Sequence, residues 1–73
     1  MLSSVMRLEA WRCNPWPAVF ITVAAESKEA AVEFACRRMG TGAAHLCTAY
    51  RCSELDGVAA DRAPGDVLRW EEY

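Results

Sequence analysis

The sequence predicts a single small α+β domain spanning residues 1–73, an antiparallel sheet in the order β-β-α-β-β covered on one face by one helix. Three observations carry that class. Ala18 to Ala25 is an apolar, β-branched run, Ser27 to Gly40 is a helical segment with its own start and stop signals, and segments on either side of this pair alternate with period two. A chain of 73 residues has room for one core. Cores of that size leave only about 3–5 kcal/mol of net stability, so a dimer interface, a disulfide, a metal or close packing of the tryptophans is expected to add to it.

The first strand is expected over Met6 to Cys13. Its alternation puts Met6, Leu8 and Ala10 on one side and Arg7, Glu9 and Trp11 on the other. Asn14-Pro15-Trp16-Pro17 should break it, because proline fixes φ and donates no ladder hydrogen bond. The second strand, Ala18 to Ala25, is apolar on both faces, with Val19, Ile21 and Val23 opposed to Phe20, Thr22 and Ala24. That pattern suits a central position.

Ser27 is the natural N-cap of the helix, since its hydroxyl can accept from free N–H groups of the first turn, and Glu29 complements the positive end of the dipole. At 100° per residue, Ala31, Val32, Ala35, Cys36 and Met39 form one apolar stripe, with Glu29, Glu33 and Arg37 opposite. The helix should therefore lie on a sheet, with a Glu33–Arg37 pair on its outer side and Gly40 as the left-handed cap. A third strand is expected over Ala44 to Cys52, with Leu46, Thr48, Tyr50 and Cys52 facing one way and His45, Cys47, Ala49 and Arg51 the other. Asp56-Gly57 and Pro64-Gly65 read as turns, and Val67 to Tyr73 as the last strand.

Hydrophobic content of 53% excludes intrinsic disorder. The longest apolar run falls far short of the roughly 20 residues a membrane helix needs. Arg7 and Arg12 precede a run ending in Val23-Ala24-Ala25, as in a cleaved leader, but Glu9, Pro15 and Pro17 interrupt that pattern. The chain is thus expected to be mature and cytoplasmic, with its thiols reduced. A net charge of −2 hides an asymmetry: from Glu54 onward Glu54, Asp56, Asp61, Asp66, Glu71 and Glu72 stand against Arg62 and Arg69. An acidic tail argues against direct nucleic-acid binding, which wants clustered Lys and Arg.

His45, Cys47 and Cys52, with Cys13 and Cys36 elsewhere, are the metal-like group. Structural zinc sites bring ligands in tight pairs, whereas Cys47 and Cys52 on one strand would face opposite ways. Free thiols and no metal or other cofactor are expected. His45 and Cys47 share a strand face, yet a nucleophilic pair also needs an orienting group, an oxyanion hole and a cleft. No glycine-rich phosphate loop or dinucleotide fingerprint occurs, and the chain is expected to be no enzyme. Trp11, Trp16 and Trp70 remain, because exposed aromatics with a polar handle mark interfaces. The expected protein-binding residues are Asp66, Trp70, Glu71 and Glu72, an aromatic among acids that would steer a basic partner.

The strand-to-helix junction Val23-Ala24-Ala25-Glu26-Ser27-Lys28-Glu29-Ala30-Ala31-Val32-Glu33-Phe34-Ala35, in so small a chain with an acidic end, resembles the small proteins of phages and mobile elements, including anti-CRISPR inhibitors. The resemblance covers architecture and this junction, and no site residue carries over from it. It implies a non-catalytic inhibitor in the host cytoplasm that binds a host defence complex stoichiometrically, in some members through acidic surfaces on a basic nucleic-acid groove. A net charge of −2 departs from the strongly acidic members. The alternatives are a homo-oligomeric structural or accessory protein, such as a homodimer, and a small zinc-binding domain.

Overall fold

A computed structural model describes residues 7–40 and 46–73. Four strands, β1 (Glu9–Trp16), β2 (Val19–Ala25), β3 (Thr48–Arg51) and β4 (Val67–Glu72), form one antiparallel sheet in the spatial order β3-β1-β2-β4. Helix α1 (Lys28–Met39) packs against it, so the fold is α+β as the sequence predicts. His45 and the expected start of the third strand at Ala44 lie outside the described residues.

Between β3 and β4 the chain departs from expectation. Asp56-Gly57 is no hairpin turn but the opening of a one-turn helix, α2 (Asp56–Ala59), entered through a 3-10 turn over Ser53–Leu55. Packing decides this. Leu55 and Ala59 close with Leu8, Ala10, Ala24, Cys52 and Leu68 into a small apolar cluster on the face away from α1. The Asp56 carboxylate also accepts the Ala10 N–H at 2.9 Å and pairs with Arg51, which reaches Glu9 at 3.1 Å.

The first hairpin differs too. Strand β1 runs on through Asn14 and Pro15 to Trp16, and the register with β2 shifts between Cys13 and Trp16. Such an irregularity lets a proline sit in a strand without demanding a regular ladder bond from it. The Asn14 side-chain amide donates to Trp16 and Val19 carbonyls, bracing the turn. Ala18 pays for this geometry with a φ of 65°.

Helix α1 begins and ends where its caps say. Ser27 Oγ accepts the Ala30 N–H at 3.2 Å, and Gly40, at φ 72°, donates to the Arg37 carbonyl. Its buried residues are Ala31, Ala35 and Cys36, with Val32, Phe34 and Met39 at the margin of the core. Small side chains at the contact let the helix approach the layer of Cys13, Ile21, Val23, Ala25 and Ala49 closely. Gly65, at φ 89°, sits where an added Cβ would be 3.0 Å from the Phe34 ring. Trp11 corrects the sequence reading: it packs against this core and is half-buried. Its strand-mates Arg7 and Glu9 made that side look polar, but they lie towards the start of β1, away from the core.

Ala35 is fully buried, so Ala35→Asp should strand a carboxylate without a partner and remove several kcal/mol, about the whole stability of such a domain. Glu33→Ala should change stability by only a few tenths, because its pair with Arg37 is exposed. Thermal melts of the two variants check the helix orientation. A left-handed alanine costs about 1 kcal/mol relative to glycine, so Ala18→Gly is expected to raise the denaturation midpoint despite the entropy glycine adds to the unfolded chain.

Candidate interaction surface

Among the described residues, helix α2 and the 3-10 turn cover one end of the sheet face opposite α1. The remainder of that face is built by the strand period of two. Arg12 from β1, Phe20 and Thr22 from β2, Tyr50 from β3, and Arg69 and Glu71 from β4 share it through the pairs Arg12↔Tyr50, Phe20↔Glu71 and Thr22↔Arg69. Their side chains interlock. The Arg12 guanidinium lies 4.0 Å over the Phe20 ring centroid, while its Nε donates to Glu71 Oε1 at 2.9 Å. Phe20 meets Tyr73 edge to face at 5.7 Å, and the Tyr73 hydroxyl donates to Glu71 Oε2 at 2.8 Å.

Glu71 is therefore the hub of this face. Hydrogen bonds from Arg12, then from Tyr73, hold its carboxyl below the usual range, and Arg12 is raised in return. Arg69 completes the group, its Nε 3.6 Å from Glu71 and its terminal nitrogen 3.5 Å from Glu54. Beneath it Thr22 is fully buried, and its hydroxyl has no hydrogen-bond partner among the described residues. An open depression of about 530 Å³ lies between Arg12, Tyr50, Ser53, Glu54, Arg69 and Glu71.

The thiol at this depression is poorly suited to nucleophilic work. Burial raises Cys52, and its Sγ donates to Glu54 at 3.6 Å, a contact that favours the protonated form, although Arg69 opposes the shift. The other thiols lie across the sheet: Cys13 is pushed up to about 12 and Cys47 to about 11 by burial, each with a neighbouring thiol adding to the shift. Cys47 belongs to the core under α1 and Cys52 to the cluster under α2, so the two point to opposite faces. Among the described residues no group of His, Cys, Asp or Glu is arranged to hold a metal ion.

The four residues expected from sequence to bind a partner are not gathered on one surface. Trp70 and Glu72 lie together on the α1 side, where the indole N–H donates to Glu72 at 2.7 Å. Glu71 points through the opposite face. Asp66 sits in the turn before β4, and its carboxylate accepts the Ala63 N–H at 3.1 Å. Each of these acids thus has a local partner, and Glu71 is paired with the cations Arg12 and Arg69. Trp16 is about half exposed at the end of β1, and Trp11 is packing.

Arg12, Phe20, Tyr50, Arg69 and Tyr73 were not picked out by composition or charge. The alternation of Arg69, Glu71 and Tyr73 with Trp70 and Glu72 is the signal that would have found them, because it separates the tail into two faces. No protein-family model, curated protein or solved structure matches the chain.

A carboxyl held below its ordinary value stabilises the fold above its unfolded pKa, and that contribution fades as pH falls through the folded value. Stability should therefore decline on acidification below about pH 4, where carboxylates ordinarily titrate. In Glu71→Gln this part of the decline should be missing, with stability at neutral pH reduced. Urea denaturation at pH 7 and pH 3 compares the two proteins.

Proposed function

We propose that this domain is a non-catalytic protein-interaction module that docks a protein partner on the open face of its sheet. The observation that carries this reading is the row of aromatic rings and guanidinium groups held on regular strands, with Tyr50 62% and Tyr73 76% exposed. Aromatic and Arg side chains dominate binding energy at protein interfaces, since they offer large contact area with a polar handle. Strand positions fix their backbone in advance, which lowers the entropy lost on docking.

Charge balance selects the class of partner. Nucleic acid binds by exchanging counterions for clustered cations, yet Arg12 already faces Glu71 and Arg69 faces Glu54 and Glu71. A polyanion would have to compete with those carboxylates. A protein surface of mixed polarity, offering apolar groups to the rings and carbonyls to the guanidinium edges, meets no such competition. An inhibitor of a host defence complex acts by this kind of contact, and only the resemblance of the junction to such proteins points to that target class. A homo-oligomeric role has its own support in the edge of β4.

The test uses a photoreactive phenylalanine analogue at position 50, expressed in the cells that make the protein, with the same analogue at Glu33 on the outer side of α1. A single protein adduct is expected from position 50 and none from 33; adducts from 33 alone would put the interface on the helix. With that partner purified, Tyr50→Ala and Tyr73→Ala should each weaken binding by about 2 kcal/mol, Tyr50→Ala at an unchanged melting temperature because its side chain is exposed and Tyr73→Ala at a lowered one because its contacts with Glu71 and Phe20 are lost.

A further inference from the structure

Among the described residues the sheet ends in β3 on one side and β4 on the other, and the two edges differ. Strand β3 is short, whereas β4 runs from Val67 to Glu72 and has β2 as its sole neighbour among the described residues. Helix α1 lies over β1, β2 and β3, and on its side of β4 Val67 packs against the core while Trp70 is 43% exposed. An edge of this length with an exposed aromatic is a template for another strand.

The ladder fixes which backbone groups point outward. The Tyr73 N–H donates to the Ala18 carbonyl at 2.7 Å, so residue 73 faces β2. In an antiparallel ladder the inward and outward groups alternate, which leaves the N–H and C=O of Glu72 and Trp70 directed away from the sheet. Two copies can therefore pair antiparallel about a twofold axis at Trp70, each Trp70 exchanging both backbone bonds with the Trp70 of the other. That register sets Arg69 of one copy directly opposite Glu71 of the other, twice, on the face away from α1. On the α1 side the two indoles meet across the axis. An axis moved by one residue to Arg69 or Glu71 would set two like charges directly opposite each other instead.

We infer that this chain pairs with a second copy of itself through the outer edge of β4, antiparallel and centred on Trp70, making one sheet that runs across both copies. The arrangement is closed and self-complementary, as a twofold dimer requires. It supplies the stabilisation that so small a core is expected to need. The open face that carries Tyr50 remains available, because β3 lies at the far edge.

Sedimentation velocity of the purified full chain from about 1 to 500 µM tests the inference without any other protein, so failure here is separate from failure of the docking face. A concentration-dependent shift from monomer to dimer is expected, and a monomer throughout overturns the proposal. Trp70→Lys places two ammonium groups across the axis and should raise the dissociation constant at least 100-fold while circular dichroism keeps the folded spectrum. Should that variant not fold, Glu72→Pro removes an outward N–H while leaving the bonds to β2, and should weaken the dimer at least tenfold. Dimers unaffected by the folded variant place the contact elsewhere and overturn the proposal.

The register has its own readout. Opposed, hydrogen-bonded residues stand about 5.5 Å apart at Cα, within the range a disulfide spans. Under oxidised glutathione two Trp70→Cys chains should form one disulfide, with two glutathione thiols released, while the wild type, whose thiols are mostly buried, should not. Glu72→Cys, which would face Leu68 of the other copy, should cross-link far more slowly. Equal rates at 70 and 72 would overturn the Trp70 axis.

Discussion

Everything in this fold is placed by β2. From Ile21 to Ala25 the strand is buried on both faces, and it pairs with β1 on one side and β4 on the other. Ile21, Val23 and Ala25 receive α1, while Ala24 and its neighbours receive α2. The rest of the second face is polar and aromatic, and among the described residues no further element covers it. The buried residues are small, with Ile21, Val23, Thr22 and Cys13 the largest that are fully enclosed, so hydrophobic burial is modest and the layers gain by close approach.

With so thin a core, the charged groups of the open face organise more than they stabilise. Ion pairs at this level of exposure add little to stability, because solvent screens them. The Arg12–Glu71–Tyr73 set nonetheless links β1 to the C-terminal strand across β2, and it keeps the rings of Phe20 and Tyr73 in fixed relation. Pre-ordering of that kind is what a recognition surface needs.

Much of this was legible in the chain. Ser27 and Gly40 marked the helix because capping is local chemistry, and the two-sided apolarity of β2 marked it as central because burial on both faces leaves no room for alternation. Asp56-Gly57 was misread since aspartate opens a turn and a helix equally well; Leu55 and Ala59, reaching a cluster distant in sequence, decide between them. Pro15 hid the length of β1 because a register shift that excuses a proline leaves no local trace. The candidate face stayed hidden for a related reason: its members come from four strands, and their meeting depends on a sheet order that places the last strand beside the second.

Asp56 joins parts of the chain that fold apart in sequence. One carboxylate holds the Ala10 amide of β1 and the guanidinium that ends β3, while the residues around it wedge α2 against the sheet. The start of β1, the end of β3 and the short helix are thus fastened at a single point, so they open together or not at all. Amide exchange at Ala10 then reports the departure of α2, and the far end of the sheet, where β4 meets β2, can open on a separate clock.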